Sequence, residues 1–196
     1  MICWISGLAC SGKSTLIKSI LNNVINFPNT YEIFKPIKKI NCIRFNNNNF
    51  LLVGSNYLND KSTESGIDGS RSNQGELESL INQEYLNHNI LLETFLPHYF
   101  NIDLLSRLVN RYELKIFYLH ADKSILDERG IKRNHWFDKS RTEKIKINQL
   151  KRIESVISNN LIKPYVKILK NNNEKDLSNN VKLICEYITQ GVNNGK

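Results

Sequence analysis

The sequence predicts a three-layer α/β domain, in which helices cover both faces of a mainly parallel sheet. Residues 1–6 (MICWIS) form an apolar run typical of a buried strand, and helical periodicity begins after a glycine-containing loop. Short β-prone runs then alternate with helical segments along the chain, which favours βαβ units. The length of 196 residues indicates one domain, residues 1–196, with ligands expected at the carboxyl ends of its strands.

The first half of the chain predicts a helix and a β-hairpin after the first strand. The helix is expected from Ser14 to about Asn26, because an apolar stripe runs along it and a proline follows. Residues 38–45 and 50–55 are β-prone runs around an asparagine-rich turn, which is the pattern of a hairpin insertion. Residues 56–74 are polar and lack a regular period, which indicates a long functional loop.

The second half of the chain continues the alternation. Strands are expected at residues 89–95, 114–120 and 165–169, and helices at residues 75–87, 102–112, 123–133, 142–157 and 176–189. A break at residues 134–141 separates two charged helices, and together they predict a helical lid at about residues 123–148. Residues 191–196 are expected to form a frayed tail.

The composition is basic, with 27 Lys and Arg residues against 19 Asp and Glu residues and a formal net charge of +8. This charge favours a polyanionic partner such as nucleic acid or nucleotides, although scattered lysines in a Lys- and Asn-rich chain also arise from an AT-rich genome. Four cysteines without metal-binding spacing predict reduced intracellular thiols. No apolar run is long enough to span a membrane, and the first strand leaves no room for a signal peptide, so a cytoplasmic location is expected.

Residues 7–15 (GLACSGKST) fit the phosphate-binding P-loop pattern G-x-x-x-x-G-K-[ST]. The glycines let the backbone approach phosphate oxygens, and the helix that follows adds its N–H donors and its dipole. Lys13 is expected to bridge the β- and γ-phosphates of ATP, and the Ser14 hydroxyl is expected to ligate Mg²⁺. The residues expected to bind this ATP·Mg²⁺ are Gly7, Ala9, Cys10, Ser11, Gly12, Lys13, Ser14 and Thr15.

Two carboxylates are candidates for catalysis. Glu93 ends a predicted strand, where it could hold Mg²⁺ or act as the base; the alternative is a surface carboxylate at a strand end. Asp68 follows Gly66 in the polar loop and could accept a proton from an acceptor hydroxyl, or hydrogen-bond to a base edge. Arg71 could contact a substrate phosphate. The alternative for this loop is a solvated polar segment, and the residues leave open whether Asp68 or Glu93 is the base.

A cluster of cations surrounds the predicted break. Arg129 and Arg133 are four residues apart on a predicted helix and therefore share a face, and Arg141 and Lys144 follow. Such a cluster is expected to close as a lid that neutralises the transferring phosphoryl group, with Arg129 also contacting the nucleotide. The alternative is a solvated helix face.

These features together resemble a family of enzymes. The P-loop is joined by a hairpin ending in residues 52–57 (LVGSNY), by residues 66–68 (GID) with serines after them, by the strand at residues 89–93, and by an arginine lid ending in Arg141, Lys144 and Asn148. This set resembles the P-loop kinases of bacteriophages that phosphorylate 5-hydroxymethyluracil in DNA, and the phage deoxynucleotide kinases related to them. The resemblance spans most of the chain, and the P-loop is its specific part.

The resemblance implies a P-loop kinase fold and ATP-dependent transfer of the γ-phosphoryl group to the hydroxymethyl group of a modified pyrimidine in DNA, in the cytoplasm of a phage-infected cell. By this resemblance Gly66 and Asp68 would fall in the acceptor site, and Arg129, Arg133 and Arg141 in the lid. The residues expected to bind substrate are Gly66, Asp68, Arg71, Arg141 and Lys144, with ATP and Mg²⁺ as cofactors. Two other functions are open at this point. One is a deoxynucleoside monophosphate kinase, for which Arg71 would bind the acceptor phosphate. The other is a DNA-binding module whose ATP hydrolysis only gates binding.

Overall fold

The computed structural model describes residues 1–24, 31–37, 40–45, 50–54, 72–94, 99–132 and 139–193. Within these ranges the chain forms an α/β fold with one sheet. The strands are β1 Ile2–Gly7, β2 Tyr31–Ile37, β3 Ile40–Phe45, β4 Phe50–Val53, β5 Asn89–Glu93, β6 Leu114–His120 and β7 Val166–Lys170. The helices are α1 Lys13–Val24, α2 Gln74–Glu84, α3 Ile102–Val109, α4 Lys123–Lys132, α5 Lys139–Ser158 and α6 Glu174–Asn193, with a 3₁₀ turn at Lys163–Tyr165.

The sheet is mixed but mostly parallel, and its spatial order is β2-β3-β4-β5-β1-β6-β7. The five neighbouring strands β4, β5, β1, β6 and β7 are all parallel to one another. At the other side of the sheet, β3 pairs antiparallel with β4, and β2 pairs antiparallel with β3. The predicted hairpin is therefore confirmed as β3 and β4. Strand β1 lies in the interior of the sheet, and all six of its residues are buried, which explains its unbroken apolar run.

Helices pack on both faces of the sheet, an arrangement compatible with the predicted three layers. Buried side chains of α1 and α6 form one core with residues of β1 and β6 that face the same way. Buried side chains from α2 to α5 form a second core on the opposite face, around Trp4 and Tyr118. None of the helices in the described part of the chain combines the length and the apolarity that crossing a membrane requires.

The carboxyl ends of the parallel strands lie along one edge of the sheet, where several helices begin. Asparagines cap three of these helices: Asn73 before α2, Asn101 before α3 and Asn173 before α6, each accepting a hydrogen bond from a backbone N–H in the first turn. At α2 the Glu76 carboxylate in turn accepts a hydrogen bond from the Asn73 N–H, which completes a capping box. These asparagines satisfy backbone N–H groups that have no partner within the helix, and they therefore help to set where the three helices begin.

Three parts of the fold differ from the prediction. Strand β2 was not predicted, because most of its side chains are exposed and Pro36 is unfavourable within a strand except at an edge, where β2 lies. Helix α5 begins at Lys139, inside the predicted break, and it continues to Ser158 without interruption. Helix α6 extends to Asn193, so residues 191–193 belong to the helix rather than to a frayed tail. The side chain of Ile188, about one turn earlier, is buried and holds this end of the helix against the core.

Candidate functional site

The glycine loop, residues 7–12, connects the end of β1 to the start of α1 and requires unusual backbone geometry. Gly7, Cys10 and Gly12 have positive φ angles of 155°, 64° and 93°. A Cβ atom on Gly7 would lie 2.6 Å from the Leu119 carbonyl oxygen, and one on Gly12 would lie 2.5 Å from Nδ2 of Asn171. Both glycines are therefore needed for space as well as for dihedral freedom.

The loop presents donors and a positive charge at the start of α1. The backbone N–H groups of Ala9 and Gly12 donate no hydrogen bond within the part of the chain that the structure describes. Lys13 is 6% exposed, and its ammonium folds back over the loop to donate to the carbonyls of Gly7, at 3.1 Å, and Leu8, at 3.0 Å. A buried cation beside backbone donors and a helix N-terminus forms an environment suited to an anion.

A carboxylate lies beside the first turn of α1. Glu93 is the last residue of β5, which pairs with β1, so that Glu93 and Ile5 are register partners. The Ser14 hydroxyl donates to the Glu93 carboxylate, with oxygen distances of 3.3 and 3.4 Å. Glu93 is only 4% exposed, so the alternative that it is a surface carboxylate is wrong.

The hydroxyl of Ser14 and the carboxylate of Glu93 are hard oxygen ligands, which Mg²⁺ prefers. No group of three or more His, Cys, Asp or Glu side chains gathers among the described residues to hold a metal without further ligands. Magnesium at nucleotide sites needs no such group, because one or two protein oxygens act together with substrate phosphates and water. The pair therefore fits the predicted metal ligands.

Arg129 is brought to the glycine loop by α4. Its Nη1 atom donates to the carbonyls of Asn171 at 3.0 Å, Ser11 at 3.4 Å and Cys10 at 3.5 Å, and Nη2 donates to the Asn172 carbonyl at 3.2 Å. The arginine thus lies next to the loop, as a nucleotide-contacting residue must. Its guanidinium, however, binds backbone carbonyls and links the glycine loop to the turn between β7 and α6.

That turn contains two asparagines, Asn171 and Asn172, for which no role was predicted from the sequence. Asn171 is 2% exposed, and its side-chain Nδ2 donates to the Ser11 carbonyl at 2.6 Å. Asn172 bonds through its side chain to Asp122, accepting from the Asp122 N–H at 2.9 Å and donating to the carboxylate. The place of these asparagines directly after a parallel strand is nevertheless a signal for a site residue.

Several predicted site residues are not placed by the structure. Gly66, Asp68, Arg71 and Arg133 lie outside the described residues. The other two predicted lid cations, Arg141 and Lys144, are residues of α5, but their side chains lie outside what the structure describes. The structure therefore brings together the nucleotide side of the predicted site, namely Lys13, Ser14, Glu93 and Arg129, and the acceptor side stays a prediction.

A separate open groove of about 660 Å³ runs between α1 and α6. Its lining includes Ser19, Leu177, Val181 and Cys185, and no residue of the glycine loop or of β5 contributes to it. It is mixed in polarity, with Glu174, Glu186 and Lys182 among its lining residues, but it lacks the glycine loop and its backbone donors. We therefore take the glycine loop, rather than this groove, as the candidate functional site.

Comparison with models of protein families and with curated protein sequences found no match.

Proposed function

We propose that this protein is an ATP-dependent phosphotransferase with a P-loop kinase fold. The observation that carries the proposal is the joint placement of a buried lysine, whose ammonium folds over the glycine loop, and a serine–carboxylate pair at the end of the neighbouring strand. Lys13 and Ser14 occupy the last positions of the P-loop pattern, and Glu93 meets Ser14 from the neighbouring strand at 3.3 Å. Cation, hydroxyl and carboxylate then all lie at the carboxyl edge of the sheet, where ligands of parallel sheets bind.

Each of these residues has a distinct role in the proposed reaction. The Lys13 ammonium neutralises the bridging and terminal phosphates, and the loop N–H groups orient them. Ser14 and Glu93 would hold Mg²⁺, which when bound offsets phosphate charge. The Glu93 carboxylate accepts a hydrogen bond from the Ser14 hydroxyl. It is therefore better placed to hold Mg²⁺ than to deprotonate the hydroxyl of an acceptor. We therefore assign the role of base to Asp68.

The proposed acceptor is a hydroxymethyl group on a modified pyrimidine, 5-hydroxymethyluracil, in DNA. The net charge of +8 supports a polyanionic substrate, because contacts of Lys and Arg with phosphates dominate DNA affinity. A base in a duplex would have to leave the stack to reach the loop. The remaining lid cations, Arg133, Arg141 and Lys144, are proposed to neutralise the transferring group.

The test is transfer of label from γ-labelled ATP to three acceptors in parallel: DNA containing 5-hydroxymethyluracil, unmodified DNA, and a panel of deoxynucleoside monophosphates. Label on the modified DNA alone supports the full proposal. Label on a monophosphate alone would establish a nucleotide kinase instead. ATP hydrolysis that DNA stimulates, without a labelled product, would indicate the nucleotide-gated DNA-binding module.

Matched variants separate the enzyme from a contaminating kinase. Lys13→Ala removes the loop ammonium and is expected to reduce transfer by about 10²–10³-fold, the usual loss for one group that stabilises transition-state charge. Lys182→Ala removes an exposed lysine on α6 and is expected to leave transfer unchanged. Equal activity of the two variants would overturn the proposal.

A further inference from the structure

Asn171 contacts three parts of the fold that meet at the glycine loop. Its backbone N–H donates to the His120 carbonyl at 2.8 Å, which fixes it at the end of β6 and β7. Its carbonyl accepts from Arg129 at 3.0 Å. Its side-chain Nδ2 crosses to the loop and donates to the Ser11 carbonyl at 2.6 Å, the shortest of the three contacts.

The bond to Ser11 determines where the next N–H group points. In a trans peptide the carbonyl of one residue and the N–H of the following residue point in opposite directions. Asn171 Nδ2 and Arg129 Nη1 both hold the Ser11 carbonyl, so the Gly12 N–H is directed away from them. That N–H makes no hydrogen bond to any described residue and is therefore ready to donate to a ligand.

The bond to Ser11 requires that the side-chain NH₂ group of Asn171, rather than its oxygen, faces the loop. Oδ1 of Asn171 is buried and accepts no hydrogen bond from the described residues. Reversing the amide would place an oxygen against the Ser11 carbonyl oxygen, which is repulsive, so the observed orientation is fixed by the loop. A buried acceptor without a partner is unfavourable, and in this orientation the bond from Nδ2 to the Ser11 carbonyl offsets that cost.

We propose that Asn171 is a positioning residue for phosphate binding: its side-chain amide holds the Ser11–Gly12 peptide so that the Gly12 N–H faces the phosphate. The inference rests on the proposed function only in taking the loop as a phosphate site. It predicts that Asn171 controls affinity for the phosphate groups themselves, whatever acceptor the enzyme uses.

Calorimetric titration with inorganic pyrophosphate and with ATP, both with Mg²⁺, tests the proposal. Asn171→Ala is expected to weaken both ligands by about tenfold, which corresponds to about 1.4 kcal/mol. Asn171→Asp is expected to weaken them further, because a carboxylate oxygen then faces the Ser11 carbonyl. Asn171→Ser replaces Asn171→Ala if the latter does not fold.

The matched control is Asn180→Ala. Asn180 is 6% exposed, and its Nδ2 donates to the Lys170 carbonyl at 2.8 Å, so this variant also loses a buried asparagine bond at the end of β7. It does not contact the loop, and its affinities are expected to stay within twofold of the wild type. A purely structural role for Asn171 predicts that both variants lose stability and that neither loses affinity.

The amide resonance of Gly12 gives a direct readout. Pyrophosphate is expected to shift it in the wild type and in Asn180→Ala, and to shift it much less in Asn171→Ala. Unchanged affinity and an unchanged Gly12 shift in Asn171→Ala would overturn the positioning role while leaving nucleotide binding intact. A wild type that binds pyrophosphate but transfers no phosphate would refute the kinase alone, and a wild type that binds neither ligand would refute both proposals.

Discussion

Replacing Gly7 with alanine tests the geometry of the glycine loop without any assumption about function. Gly7 has φ 155°, and an added Cβ would lie 2.6 Å from the Leu119 carbonyl oxygen and 2.7 Å from Ser11 Oγ. Leu119 is the register partner of Gly7 in β6, so its carbonyl cannot move without disturbing the sheet. A strained backbone costs about 1–3 kcal/mol. Overpacking costs about 1–3 kcal/mol more.

The expected loss in the free energy of unfolding is therefore roughly 2–6 kcal/mol. For a chain of this length, each kcal/mol lowers Tm by about 2–4 °C. Urea and thermal denaturation of Gly7→Ala should be compared with Gly75→Ala, whose added Cβ meets only Asn73 Oδ1 at 3.3 Å near the start of α2. The control is expected to change stability by no more than about 1 kcal/mol. Equal stabilities for the two variants would refute the reasoning.

Three further predictions concern the site and the buried thiols. Glu93→Gln is expected to lower phosphotransfer about 10²–10³-fold and to raise the Mg²⁺ concentration that turnover requires; an unchanged Mg²⁺ titration would contradict its role. Arg129→Lys loses the planar fork that reaches four carbonyls and is expected to lower the free energy of unfolding by about 1–3 kcal/mol in urea, whereas wild-type stability would exclude the linking role. Burial raises the pKa of the Cys42 thiol to about 12 and that of the Cys185 thiol to about 11, from 9.0 in the unfolded chain. The stability that these neutral thiols contribute to the folded state is therefore complete below pH 9.0 and is lost as the pH rises toward 11 to 12. Urea denaturation from about pH 8 to about pH 11 should show this decline, and a flat profile would contradict it.

The sequence predicted those elements whose pattern is set by burial. Strand β6 was predicted at its observed bounds, since its buried run is distinctive. Glu93 was singled out because it ends a predicted strand, and in the structure its carboxylate accepts a hydrogen bond from Ser14. Strand β2 was missed because an exposed edge strand carries no core pattern. The role of Asn171 could not be predicted either, because it depends on a bond to Ser11, 160 residues earlier in the chain. No local pattern contains such a contact.

The interior position of β1 has a consequence for how the chain reaches its fold. Ile2 pairs with Ile90 on one side and with Leu114 on the other, 88 and 112 residues later in the sequence. At a synthesis rate of about 5–20 residues per second, roughly 5–20 s pass between the synthesis of this apolar strand and the synthesis of its two neighbours. Contacts so distant in sequence slow the search for the native topology and leave apolar segments accessible in the meantime. The strand that supports the glycine loop is thus synthesised well before the two strands that enclose it, so aggregation of newly made chains competes directly with formation of the site.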